Sequence, residues 1–179
     1  MKPFVFCYLA ILVFACAPCR SLAGDNAFNP ADDKPASFLS KTNLMIFGFS
    51  YHTDREGVKK GRSDNEVNAG LGLDYEFHED ARGIATLQAG VFKDSGSNWA
   101  KFGGVGYGFK LSKHWRLGAD LLVFESATYN KGSIFVAPIP RIGYRWGNVQ
   151  LNAVYIPRLM PYVEFEALAF YLTVPLSKR

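Results

Sequence analysis

The sequence predicts an all-β chain, an eight-stranded antiparallel transmembrane β-barrel, and three observations lead there. From Glu66 to Phe77 one residue parity reads Val67, Ala69, Leu71, Leu73, Tyr75, Phe77 while the other reads Glu66, Asn68, Gly70, Gly72, Asp74, Glu76. That unbroken period of two is a strand with two chemically different faces. Similar segments recur to a total of eight, an even number, and most have about the 9 to 11 residues that a tilted strand needs to cross a bilayer core. Short turns alternate with longer loops, which in an antiparallel barrel gathers every loop at one end.

Taken in order, residues 1–23 read as an export signal. Lys2 precedes an apolar run from Phe4 to Ala17, and Ser21-Leu22-Ala23 offers small residues where a signal peptidase cuts. Its removal takes Cys7, Cys16 and Cys19, all the cysteines in the chain, and with them disulfides, zinc knuckles and cysteine nucleophiles. Lys2 and Arg20 leave too, so 20 basic residues become 18 against 16 acids. Such a balance is no nucleic-acid footprint. After Ala23 no apolar run approaches the roughly 20 residues of a spanning helix. Residues 24–43 form an N-terminal periplasmic or interfacial segment, 44–174 the barrel and 175–179 a C-terminal tail.

The expected strands are Leu44–His52, Glu66–Phe77, Gly83–Phe92, Lys101–Leu111, Arg116–Glu125, Ile134–Tyr144, Val149–Ile156 and Tyr162–Val174. Tight polar turns fall at His78–Arg82, Ser112–Trp115 and Arg145–Asn148; longer loops span Thr53–Asn65, Lys93–Ala100, Ser126–Ser133 and Pro157–Pro161. The expected fourth strand carries Phe102, Gly104, Gly106 and Gly108 on one face and Val105, Tyr107, Phe109 and Leu111 on the other. A glycine face offers lipid poor contact, so it is placed inside, and Tyr75, Phe77, Tyr107, Phe109, Tyr155 and Tyr171 face lipid.

Two readings of the inward glycines stand. They permit tight strand coiling, or, with Gly70 and Gly72, they hollow a lumen that side chains ordinarily fill. On the last strand Glu164 and Glu166 share a face with Leu168, Phe170 and Leu172, an acidic mouth above an apolar shaft, which suits an acyl chain and its headgroup.

Of the three histidines, His78 and His114 sit in the short turns, whereas His52 ends the first strand on the loop side and Asp94-Ser95 opens the second loop. Topology therefore brings His52, Asp94 and Ser95 to one rim, with Gly96 permitting the bend that lets Asp94 and Ser95 serve one site. Imidazole, carboxylate and hydroxyl are the groups of acyl transfer. The same residues also fit an ordinary strand end followed by a polar turn. Arg55, Lys59, Lys60 and Arg62 crowd the first loop, mixed with Asp54, Glu56, Asp64 and Glu66, and so read either as a phosphate site or as a solvated surface.

The run Phe92-Lys93-Asp94-Ser95-Gly96-Ser97-Asn98-Trp99, followed by Phe102-Gly103-Gly104-Val105-Gly106, resembles the lipid A palmitoyltransferase family. Tyr51-His52, Tyr155-Ile156-Pro157 and the prolines Pro138 and Pro140 fit it too, and the likeness runs from about Leu44 to Tyr171. The resemblance implies an outer-membrane enzyme, its active site facing the surface of a Gram-negative cell, that moves palmitate from the sn-1 position of a glycerophospholipid to lipid A. It assigns catalysis to His52, Asp94 and Ser95, the floor of an acyl-chain ruler to Gly106, flanked along the lumen by Gly104 and Gly108, and lateral access from the bilayer to Pro138 and Pro157. Neither a cofactor nor a metal is expected, and the barrel is expected to be a monomer. Residues 24–43 depart from the family's amphipathic helix, the C-terminus lacks a terminal aromatic, and Ser126–Ser133 lacks its charged and tryptophan pattern. The alternatives are a structural or adhesive barrel and a lipid A deacylase.

Overall fold

The computed structural model describes residues 38–53, 65–159, 163 and 166–177. The expected signal segment, the first-loop cations Arg55, Lys59, Lys60 and Arg62, and Glu164 lie outside the described residues. The strands are β1 Thr42–His52, β2 Val67–Glu79, β3 Gly83–Lys93, β4 Trp99–Lys110, β5 Trp115–Glu125, β6 Phe135–Trp146, β7 Val149–Ile156 and β8 Ala167–Pro175. Each pairs antiparallel with the next, and β1 with β8 closes the barrel. The barrel thus starts at Thr42, directly after a 3-10 turn at Phe38–Lys41, and ends at Pro175. The last strand starts five residues later than its composition suggests, at Ala167 instead of Tyr162. No described helix is long and apolar enough to cross a membrane, which says nothing against strands.

Alternation fixes what faces in. On β3, β4 and β5 the even residues point to the lumen: Ile84, Thr86, Gln88 and Phe102, Asp120, Leu122 are buried. The odd residues form an outer wall on which Leu71, Leu87, Leu121, Leu117 and Val105 are exposed. At the turn end Trp115, Tyr144 and Trp146 are exposed in turn, and Trp99 and Tyr51 at the loop end, the two aromatic girdles of a lipid-facing barrel.

β1 breaks this arithmetic. Met45 is buried and Phe47 packs against the core, both odd, yet Ser50 and His52 are the buried residues above them. A bulge between Phe47 and Phe49 absorbs the difference: Phe47 pairs with Tyr171 and Phe49 with Phe170, one extra residue on β1 that reverses its faces. Gly48 sits at the bulge with open space beside it.

β8 follows β1. Ala167 pairs with His52 and Tyr171 with Phe47, so the odd residues of β8 face the lumen and Tyr171, expected against lipid, is 4% exposed inside the barrel. Leu168, Phe170 and Leu172 therefore belong to the outer wall, where Phe170 stacks on Phe49. The expected acidic-to-apolar inner face through Glu166 is not formed, because the strand begins only after Glu166 and carries no alternation back through it.

Candidate functional site

Ascending β3 keeps its inward parity through Phe92 to Asp94, where the chain turns sharply around its own carboxylate. The Asp94 amide donates to the Asn98 carbonyl at 2.9 Å and the Ser97 amide to the Asp94 carbonyl at 2.9 Å. The Asn98 amide donates to Asp94 Oδ1 at 2.9 Å, and the Ser126 hydroxyl donates to Oδ2. Ser97, at φ 58°, takes the left-handed conformation that the turn demands. Gly96 serves closeness instead of torsion: a Cβ there would collide with the Thr128 side chain from the next loop.

That turn folds Ser95 back over the lumen. Its Oγ lies 3.0 Å from His52 Nε2, and both residues are buried, at 5% and 4% exposure. The sequence-derived pair is thus one hydrogen-bonded unit, and with Nδ1 carrying the imidazole proton, Nε2 is ready to accept from the hydroxyl. Asp94, 0% exposed, stands beside them, and its hydrogen bonds run to the loop. Its carboxylate oxygens hold Asn98 and Ser126 and make no direct hydrogen bond to His52, so the geometry ties Asp94 to the loop that carries Ser95.

The third loop supplies residues that the sequence reading passed over. Ser126 continues the inward parity of β5 as Asp94 continues that of β3, which is the signal that marks it. Three residues on, Tyr129 OH stands 3.4 Å from Ser95 Oγ. Burial pushes its phenol up to about 12.

Below the pair lies an apolar cavity of about 80 Å³, walled by Met45, Phe92, Phe102, Leu122, Phe124 and Tyr171 and floored by Gln88 and Asp120. The aromatic walls touch one another: Phe47–Phe102 at 5.5 Å, Phe102–Phe124 at 6.0 Å and Phe124–Phe135 at 5.5 Å between ring centroids. A water-sized group needs roughly 10–15 Å³ of such space, so the cavity takes a short tail as it stands. A sixteen-carbon chain requires rings to turn aside.

The floor is a polar brace across the bore. Arg141 Nη2 donates to Asp120 Oδ1 at 3.0 Å, and Gln88 Nε2 donates to the same oxygen at 3.1 Å and to Thr86 Oγ1 at 3.0 Å. Beneath it a second cavity of about 40 Å³ is polar, lined by Asp74, Glu76, Arg116, Arg141, Arg145 and Gln150.

Of the glycines expected along an acyl shaft, Gly106 lies at the level of the cavity floor, and none of Gly104, Gly106 and Gly108 lines the apolar cavity itself. A Cβ on Gly104 would strike the β5 main chain at Leu121, and one on Gly106 would strike Asp120, Gln88 and Thr86 of the brace. Gly108 faces Arg141 and lines the polar cavity. Tight coiling explains Gly104, as it does Gly70, whose Cβ would meet β3 main chain. The hollow is created by where the phenylalanines stop, and Gly106 makes room for the brace.

The prolines lie where the wall is incomplete. β6 pairs with β5 along Phe135 to Tyr144, but with β7 only from Arg141 to Trp146. Pro138 and Pro140 share a parity in the unpaired stretch, so both missing N–H donors fall on the edge facing β7. Pro157 follows directly on Ile156, the end of β7, which at that level pairs with β8. The seam opens beside the cavity: Ile139 of β6 and Ile156 of β7, both beyond the last β6–β7 pair, line the cavity.

No family model matches the chain, and no curated protein matches it. Among solved structures it is similar to a chain from "De novo design of transmembrane beta-barrels", with a TM-score of 0.48 at 16% sequence identity over 74% of this chain and 93% of that one.

Proposed function

We propose that this protein is an outer-membrane acyltransferase that moves a fatty acyl chain, palmitoyl by its resemblance to the lipid A palmitoyltransferases, from the sn-1 position of a glycerophospholipid to lipid A. The single observation that carries the reading is the buried 3.0 Å contact of His52 Nε2 with Ser95 Oγ at the mouth of an apolar cavity. A hydroxyl beside an imidazole base attacks an ester carbonyl, and an apolar hollow directly below takes the tail. The outer wall of exposed leucines and valines between aromatic rings suits a bilayer, and the β6–β7 seam offers a lipid a lateral path.

Exchange of one ester for another changes little free energy, so tail burial, about 0.8 kcal/mol per methylene, selects the donor. Export followed by barrel insertion places the long loops and the site at the cell surface, where lipid A is the acceptor.

Mass spectrometry of lipid A from cells with and without the protein tests this. A gain of one acyl chain that disappears in His52→Ala and Ser95→Ala supports transfer. A loss of acyl chain identifies a hydrolase, and unchanged lipid A in cells with folded protein refutes both.

A further inference from the structure

We propose that Tyr129 is a catalytic residue of this same site, its phenol O–H donating a hydrogen bond to the oxyanion that forms when the ester carbonyl is attacked. The inference rests on the acyl-transfer reading above and adds the electrophilic half of the site, for which the His52–Ser95 pair makes no provision.

In the first step the attacking hydroxyl, that of Ser95 or of the acceptor lipid, bonds to the ester carbon and passes its proton to His52 Nε2. The carbonyl electron pair moves onto oxygen. Collapse restores the carbonyl and breaks the bond to the glycerol oxygen, which takes the proton back from His52; where Ser95 has attacked, the acceptor hydroxyl then adds to the acyl-serine carbonyl, gives its proton to His52, and Ser95 Oγ leaves and takes that proton. Between these events one oxygen carries a full negative charge in an apolar surrounding, and a preorganised donor there is the largest single contribution such sites make.

Tyr129 occupies the right place for that donor. His52 Nε2 at 3.0 Å and Tyr129 OH at 3.4 Å both reach Ser95 Oγ, so the base and the phenol meet at one hydroxyl. Tyr129 also lines the apolar cavity, where the acyl carbon must sit. With its contact to Oγ long at 3.4 Å, the phenol donates a bond of about 2.7–3.1 Å to a charged oxygen formed beside Oγ.

Four amides of the two loops are committed elsewhere: Ser97 and Asn98 to Asp94, Thr128 and Tyr129 to Ser126. The phenol is also held in place. Its ring packs edge-on against Phe135 at 6.2 Å, and its loop is tied to the second loop through Ser126–Asp94 and Asn98–Thr128. Burial raises its titration to about 12, so it remains a donor throughout the working pH range.

The test uses the full-length protein folded in detergent micelles, with p-nitrophenyl octanoate as acyl donor and water as acceptor. Tyr129→Phe, which keeps the ring and its packing, lowers kcat by roughly 100-fold with KM within about twofold. Binding supplies a second readout that does not depend on turnover. Octylboronic acid forms a tetrahedral anion on Ser95 and binds Tyr129→Phe at least tenfold more weakly, while octanol, which only fills the cavity, binds both proteins equally. Unchanged kcat and unchanged boronate affinity in Tyr129→Phe overturn the inference, and so does a parallel loss of octanol binding, which marks a merely structural ring. Wild-type turnover that survives His52→Ala refutes the acyl-transfer reading itself, and the oxyanion role with it.

Discussion

A carboxylate that grips its own loop behaves differently under substitution from one that orients a histidine. Asp94→Asn keeps an oxygen for the Asn98 amide and presents an N–H₂ to Ser126 Oγ, with donor and acceptor exchanged. It is therefore expected to lower p-nitrophenyl octanoate turnover less than tenfold, whereas loss of the orienting acid of a catalytic triad costs about 10⁴. Ser126→Ala removes the donor to a buried carboxylate oxygen and costs about 1–3 kcal/mol, read as a lower urea midpoint in micelles, with activity falling as Ser95 loosens. A 10⁴-fold loss in Asp94→Asn would return Asp94 to the imidazole. The residues of this site were legible in part: His52 and Ser95 follow from strand parity and loop topology. Tyr129 is not legible, because its approach to Ser95 depends on how two loops of unrelated sequence fold over each other.

Strand identities were legible because each has two faces in different solvents, and alternation reports that directly. What alternation cannot report is a residue that pairs with nothing. The bulge at Gly48 lets odd Phe47 and even His52 both face the lumen, and both meet odd residues of the unbulged β8, Tyr171 and Ala167, which is why Tyr171 faces in and not out toward lipid. The seam, by contrast, is written in the sequence by Pro138 and Pro140, two positions of one parity with no N–H to offer. Pro138→Val with Pro140→Val supplies both donors, at a net gain of about 0.5–1.5 kcal/mol for each ladder bond formed, and closes the gap against β7. Turnover of micelle-embedded phospholipid then falls several-fold, while turnover of p-nitrophenyl octanoate, which reaches the mouth from solution, stays as it was. Equal losses on both substrates would mean that the seam is no lipid path.

Across the whole barrel the lumen is divided into an apolar upper half and a polar lower half by one ion pair, Arg141 with Asp120, whose side chains are 10% and 2% exposed. Breaking it by Arg141→Leu leaves a buried carboxylate uncompensated and costs about 3–5 kcal/mol, measurable as an early urea transition. Removing both charges is a different operation. Asp120→Leu with Arg141→Met fills the same space with apolar atoms, which is neutral to stabilising for many buried pairs, so the double variant regains much of the stability that Arg141→Leu alone loses, short of the part that Arg141 contributes by facing the buried Asp74. It also removes the polar floor and extends the apolar shaft toward Gly106. Each further methylene buried contributes about 0.8 kcal/mol, close to fourfold in relative binding. Across a series of p-nitrophenyl esters the double variant should therefore shift its best chain length upward by two or more carbons. Phe124→Ala, which widens the shaft without deepening it, should raise tolerance of long chains while the optimum moves less. A double variant that folds stably and keeps the wild-type length profile would show that the rings, and not the brace, set where the tail ends.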